Sequence, residues 1–347
     1  MSAHRPTRRD LLTFGAPFVQ GKGAGVAPAR VPPLDELVNV LEFEEAAKLT
    51  LDRTAFTLCA GSHRDAFDRM TLWPRVLVDS APLSLAVDIF GQQMFAPLIV
   101  GPVAEQRRFH ADGEKATVQG AAAANAAVVL SSRSSYPIEE IGAHAKTALW
   151  YQVYLDRAIS EVRAQMTRGV KAGCRAVCLT VGSAPASASA RGALDVRPDW
   201  LAVERLSQAV DVPVLLKGVM TPADARRAVE SGVKGIVVSN GGRSGARRAP
   251  IEVLTAIVAA VESRVPVLID GCFRRGSDLI KALALGARAV LVARPVTWGL
   301  AAYGADGVRA VLQLLQRDLA RTMVNVGMPT IERVDRTLVK IHTRPSS

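Results

Sequence analysis

Two short turns in the last third of the chain gather the residue types that hold an anion. Gly271-Cys272-Phe273-Arg274-Arg275-Gly276 follows an apolar run ending at Asp270, and Ala293-Arg294-Pro295 ends another. Glycines let backbone N–H groups approach a ligand, and a following helix adds its positive N-terminal end. Arg274, Arg275 and Arg294 add charge-assisted donors. The chemistry implied is phosphate binding. Lys217 ends a third apolar run, Val212–Gly218. A lone lysine there is either a Schiff-base nucleophile or a cation beside an anionic ligand. Ser131, Gln152 and Thr180 close three further runs and offer hydrogen-bonding groups. A polar heteroaromatic ring with a phosphate tail suits this set.

These groups recur at the ends of regularly spaced elements. Apolar, β-branched runs occupy Pro97–Val103, Ala127–Ser132, Thr147–Tyr154, Arg175–Val181, Val212–Gly218, Gly235–Asn240, Val265–Asp270 and Ala287–Ala293. Near-continuous apolar strands are expected of a parallel sheet covered on both faces. Helical patterns lie between them, at Asp112–Ala126, Ile159–Ala172, Pro222–Ser231, Pro250–Val261 and Gly276–Leu285. Thr221 before Pro222 reads as an N-cap with proline in the first turn. Eight evenly spaced units predict a (β/α)8 TIM barrel rather than a doubly wound sheet. Residues 36–96 are expected to form an N-terminal, largely helical capping segment. Barrel chemistry sits at the C-terminal ends of strands, with phosphate held after the seventh and eighth. Lys217 then points into the mouth, and FMN is one ligand that fits. Residues 182–192, small and without periodicity, read as a flexible loop on the same face.

Composition narrows the alternatives. A hydrophobic content of 49% excludes a disordered chain, and four cysteines in 347 residues exclude a disulfide scaffold. Cys59, Cys174, Cys178 and Cys272 show no metal-ligand spacing and read as small buried hydrophobes, so no metal site is expected. A net charge of +11 permits nucleic acid, anionic lipid or small anions as partners. No recognition pattern for nucleic acid appears, and no apolar run is long enough to span a membrane. Residues 1–34 form a separate, basic leader, followed by the barrel domain over 35–340. Thr7-Arg8-Arg9-Asp10-Leu11-Leu12 is similar to a twin-arginine export signal, but its apolar stretch is short and contains Pro17. A disordered leader on a cytoplasmic protein is the first reading; export is the alternative.

The chain resembles the FMN-dependent α-hydroxy acid oxidase/dehydrogenase family, which includes glycolate oxidase and lactate oxidase. The resemblance covers about residues 36–335. It rests on Trp73 to Asp79, His110 to Glu114, Leu130-Ser131-Ser132, Tyr151 to Tyr154, Leu179-Thr180-Val181, Leu216 to Val219, Val238-Ser239-Asn240 and the stretch from Asp270 to Ala287. It implies FMN as cofactor. Pro102, Val103 and Ala104 match the segment against the flavin ring. Ser131, Gln152 and Thr180 match flavin-contacting side chains, and Lys217 matches the cation that stabilises reduced flavin. Asp270, Gly271, Arg274, Ala293 and Arg294 match phosphate and ribityl contacts, and Tyr154 matches a tyrosine near the substrate. Family members often form tetramers, so a homo-tetramer is an expectation.

Departures from the family pattern cluster on the substrate side. Gly241 stands at the position of the catalytic histidine, Gly182 at that of the aspartate that orients it, and Ser244 at that of the carboxylate-binding arginine. Phe56 replaces a substrate-binding tyrosine, and the loop after the fourth strand is short. Tyr154 remains as a candidate acid or base; Arg133, Arg243 and Arg247 are candidates for holding a small anionic substrate. His110 reads as structural. The main expectation is an FMN-binding oxidoreductase with altered or lost histidine-dependent chemistry. A catalytically inactive flavin-binding scaffold or partner subunit is the alternative.

Overall fold

The computed structural model describes residues 30–61, 64–79, 81, 83–182, 199–242 and 248–342. The eight expected strands form one closed parallel barrel: β4 (Leu98–Val100), β5 (Ala127–Ser131), β6 (Leu149–Tyr154), β7 (Val177–Thr180), β8 (Val214–Val219), β9 (Gly235–Val238), β10 (Val267–Asp270) and β11 (Ala289–Val292). Each pairs with its neighbour in chain order, and β11 returns to β4. Helices α4 (Gly113–Ala123), α5 (Ile138–His144), α6 (Ile159–Lys171), α7 (Trp200–Ser207), α8 (Pro222–Glu230), α9 (Pro250–Val261) and α10 (Gly276–Ala284) alternate with the strands. The Thr221 side chain accepts the Asp224 N–H, so α8 starts where its cap and proline place it.

Strand alternation divides the apolar residues into two clusters. Val128, Leu130, Val153, Leu179, Leu216, Val238 and Ile269 face outward and join the large core beneath the helices. Ile99, Val129, Trp150, Cys178, Leu215, Val237, Leu268 and Leu291 face inward and fill the barrel. This is the layered filling expected of a barrel without a pore.

The segment before the barrel caps it in two different ways. The hairpin of β2 (Val87–Ile89) and β3 (Gln92–Met94) closes the floor, because Val87, Ile89 and Met94 pack into the inner cluster. Trp150 Nε1 donates to Gln92 Oε1 at 3.0 Å, which pins the hairpin to β6. The helices α1 (Val40–Thr50), α2 (Arg53–Cys59) and α3 (Asp65–Asp68) lie outside and pack with α11 (Arg294–Asn325) and the neighbouring helices. Strand β1 (Met70–Leu72) pairs antiparallel with β12 (Val339–Ile341), tying this segment to the end of the chain.

Candidate active site

The inward alternation carries the argument from core to chemistry. Two residues beyond Val129, Trp150, Cys178, Leu215, Val237 and Leu268 stand Ser131, Gln152, Thr180, Lys217, Ser239 and Asp270. The barrel filling therefore changes from apolar to polar in one layer at the C-terminal mouth. Ser131 lies opposite Gln152 in the ladder, and Thr180 lies opposite Lys217. Ser131, Gln152, Thr180, Lys217 and Ser239 are all buried.

Buried charge in this layer is paired. Lys217 Nζ lies 2.8 Å from Asp270 Oδ2 and donates to Ser239 Oγ at 3.1 Å. The Ser239 hydroxyl donates to Asp270 Oδ2 at 3.2 Å. An irregularity in the β8–β9 ladder falls between Lys217 and Val219. Gly218 makes it possible: its φ is 116°, and a Cβ there would lie 2.5 Å from the Val181 carbonyl oxygen. Beneath the layer, burial pushes the Cys178 thiol up to about 12, which fits a space-filling residue rather than a nucleophile.

The other side of the mouth carries the phosphate candidates. Gly271 has φ 141° and Cys272 φ 64°, so the chain turns sharply after β10. Asp278, three residues past the N-cap of α10, accepts the Arg274 and Arg275 N–H groups at 2.9 Å each. Arg274 is buried, with its guanidinium carbon 4.5 Å from the Trp298 ring centroid. Its Nη1 donates to the Phe273 carbonyl at 2.8 Å. Burial, and then the charge of Arg294, pushes this guanidinium down to about 10, so it remains charged at neutral pH. Arg294 opens α11 and donates to the Ala60 carbonyl at 3.3 Å.

Four buried side-chain atoms among the described residues have no partner, and two belong here: Gln152 Oε1 and Arg274 Nη2. An acceptor and a cationic donor are left waiting at the two ends of one site. Such atoms call for an occupant, because a buried polar group without a hydrogen bond costs about 1–3 kcal/mol. A ring N–H facing Gln152 and a phosphate facing Arg274 meet both needs. The residues present therefore fit FMN.

The structure brings Tyr154 and Arg133 together at the opposite rim. Tyr154 lies two residues beyond Gln152, and the Arg133 guanidinium carbon is 3.9 Å from its ring centroid. Asp156 accepts from Arg133 Nη2. His110 is committed elsewhere: its Nδ1 accepts the Asp112 N–H at 3.2 Å, and its ring lies against Gly304. Phe56 is half-buried on α2. Gly182 and Gly241 both take left-handed backbone, with φ 71° and 67°. Arg243, Ser244 and Arg247 lie outside the described residues, as do residues 1–29 of the leader expected over 1–34 and residues 183–198, which hold all but the first residue of the loop expected over 182–192. Sequence reasoning missed Ser239, Asp156 and Asp278 as members of the site. Ser239 could have been found by extending the alternation from Val237, and Asp278 by its place three residues after the N-cap. Among the described residues no group of His, Cys, Asp and Glu is placed to hold a metal. No described helix is long and apolar enough to cross a membrane.

Comparison with known proteins gives the family. The FMN-dependent dehydrogenase family matches over residues 53–191 and 181–341. The chain belongs to that family, and FMN is its cofactor. A peroxisomal (S)-2-hydroxyacid oxidase of Arabidopsis thaliana is 35% identical, covering 88% of this chain and 97% of the relative. An L-lactate oxidase of Nostoc sp. is 35% identical, covering 88% and 98%. The crystal structure of mandelate oxidase with (S)-4-hydroxymandelic acid has a TM-score of 0.82 at 35% identity, covering 89% of this chain and 100% of that one. The match to the lactate oxidase runs over 358 positions, more than this chain possesses, so the relative has residues without counterparts here. The family match breaks into two pieces that meet at 181–191, on the loop after β7.

Proposed function

We propose that this chain is an FMN-dependent oxidoreductase that acts on the CH–OH group of small 2-hydroxy acids, by a route that lacks a histidine base on the loop after β9. When bound, FMN supplies the two-electron acceptor. The chain's own residues do the rest. Ser131, Gln152 and Thr180 orient the ring, and Lys217, held by Asp270 and Ser239, stabilises negative charge developing beside it. Arg274 and Arg294 hold the phosphate, with Pro102, Val103 and Ala104 against the ring.

Gly241 carries the reading. It stands next to Asn240, donates its N–H to Ser239 Oγ at 3.1 Å, and offers no group that can accept a proton. Its left-handed φ of 67° strains any L-residue by on the order of 1 kcal/mol, and Gly182 has the same property. The two glycines therefore belong to backbone shapes that favour glycine rather than to isolated exchanges. General-base catalysis contributes about 10²–10⁴-fold, and that factor is what the β9 loop no longer supplies.

The test is to purify the full chain, record its flavin absorbance, and mix it anaerobically with L-lactate, glycolate or (S)-mandelate. The expected result is a yellow protein whose flavin bleaches about 10²–10⁴-fold more slowly than in a relative that carries the histidine. Rapid bleaching would overturn the altered chemistry, and a colourless protein would overturn the cofactor assignment of the site.

A further inference from the structure

The rim of the mouth between β5 and β6 carries a cation with unusual support. The Arg133 backbone is tied down on both sides. Its N–H donates to Ser131 Oγ at 3.1 Å, and its carbonyl accepts the Glu105 N–H at 2.9 Å. Both ties lead to segments expected to face the flavin. Its guanidinium lies flat enough against Tyr154 to bring the central carbon within 3.9 Å of the ring centroid. Only Nη2 is engaged by a described residue, the carboxylate of Asp156. That carboxylate is shared, since Arg157 Nε also donates to it at 3.2 Å. A quarter of the Arg133 side chain remains exposed.

Three other cations of the mouth are engaged by groups of the chain. Lys217 is paired with Asp270 in the buried layer. Arg274 is buried against Trp298, and Arg294 reaches the Ala60 carbonyl. Arg275 is exposed, but it lies on the turn after β10; on the β5–β6 rim, Arg133 has donors still open toward solvent and stands beside the inward side of β6. A planar fork of N–H donors matches a carboxylate two bonds at a time, and stacking on an aromatic ring holds the fork in place before a ligand arrives.

We propose that Arg133 and Tyr154 form the clamp that holds the carboxylate of the substrate over the flavin, and that Asp156 weakens the clamp by competing for the same guanidinium. The substrate class is then a small carboxylate anion gripped from the β5–β6 rim, across the mouth from the loop after β9. This inference rests on the reading of the mouth as an FMN site.

The test uses the FMN-loaded full chain and oxalate, a carboxylate with no C–H bond to oxidise. Oxalate is titrated while the visible flavin bands are followed, with neutral lactamide as control. The wild type is expected to show a saturable perturbation with oxalate and none with lactamide. Arg133→Leu should weaken oxalate binding by about tenfold or more, and Arg133→Lys should recover part of it, because lysine keeps the charge but not the fork. Asp156→Asn should tighten binding by about threefold or more, since the competing charge is gone. Flavin content should be the same in all four proteins. Unchanged oxalate affinity in Arg133→Leu, or no perturbation in the wild type, would overturn the clamp while leaving the flavin site standing. A wild type purified without flavin would overturn both readings.

Discussion

Lys217 can remain in a buried layer because Asp270 and Ser239 face it. Removing the amine alone leaves a carboxylate at the mouth with one weak partner. Lys217→Met is expected to lower the stability of the flavin-free protein by about 2 kcal/mol, below the ~3–5 kcal/mol of a fully buried broken pair because Asp270 retains some exposure. The double exchange with Asp270→Asn should return most of that stability, but neither variant should recover normal flavin affinity. Urea unfolding and FMN titration check the two effects separately; equal stability of the single and double variants would remove the pair from the argument. Lys217, Gln152 and Thr180 were legible in the sequence because strand alternation alone decides which way they point. The residues that complete them were less so. Ser239 is set by the same alternation but was masked by the glycines that follow it. Asp156 acts on Arg133, which its own neighbours in sequence do not reveal, and Asp278, besides its local contacts, pairs with the distant Arg64.

At the scale of elements, the sequence placed all eight barrel strands because each is an apolar run long enough to cross the sheet, and the five helices read between them fell within a few residues of their ends, whereas the short α5 and α7 were not read. It did not reveal how the chain after β11 is built. There α11 contains a break: Tyr303 has φ −144° and ψ 16°, and Gly304 has φ 58° and ψ −138°. The first part carries Arg294 and the Trp298 ring that lies against Arg274; the helix as a whole packs along α4 and α1. The break has no strong sequence signal, because a single glycine inside a helical pattern is common. Gly304→Ala should destabilise the protein by about 1–3 kcal/mol, since the backbone conformation suits glycine and a Cβ would lie 3.0 Å from His110 Nε2. The expected melting point falls by a few degrees with flavin absorbance retained. A melting point equal to the wild type would mean that the helix can straighten without loss.

For the molecule as a whole, the ligand site and the stability of the barrel are one problem. The same strands supply the inner core and the polar layer above it; that layer contains a buried acceptor without a partner, Gln152 Oε1, and on the turn after β10 the buried Arg274 keeps one atom, Nη2, without one. In the flavin-free protein these groups draw water into the mouth or remain unsatisfied; a bound flavin replaces both outcomes with hydrogen bonds. A ligand at a hundredfold excess over its Kd stabilises the folded state by about 2.7 kcal/mol. Removal of FMN is therefore expected to lower the melting point by several degrees, and its return should restore it in a concentration-dependent way. Riboflavin separates the two ends of the site. It keeps the ring proposed to meet Gln152 and lacks the phosphate proposed to meet Arg274 and Arg294, so it should stabilise less than FMN at equal concentration. Arg274→Gln should then bring the FMN and riboflavin shifts close together, because the variant discards the charge the phosphate answers. Equal shifts for the two ligands in the wild type would show that Arg274 does not read the phosphate, and the turns after β10 and β11 would lose the role that first drew attention to them.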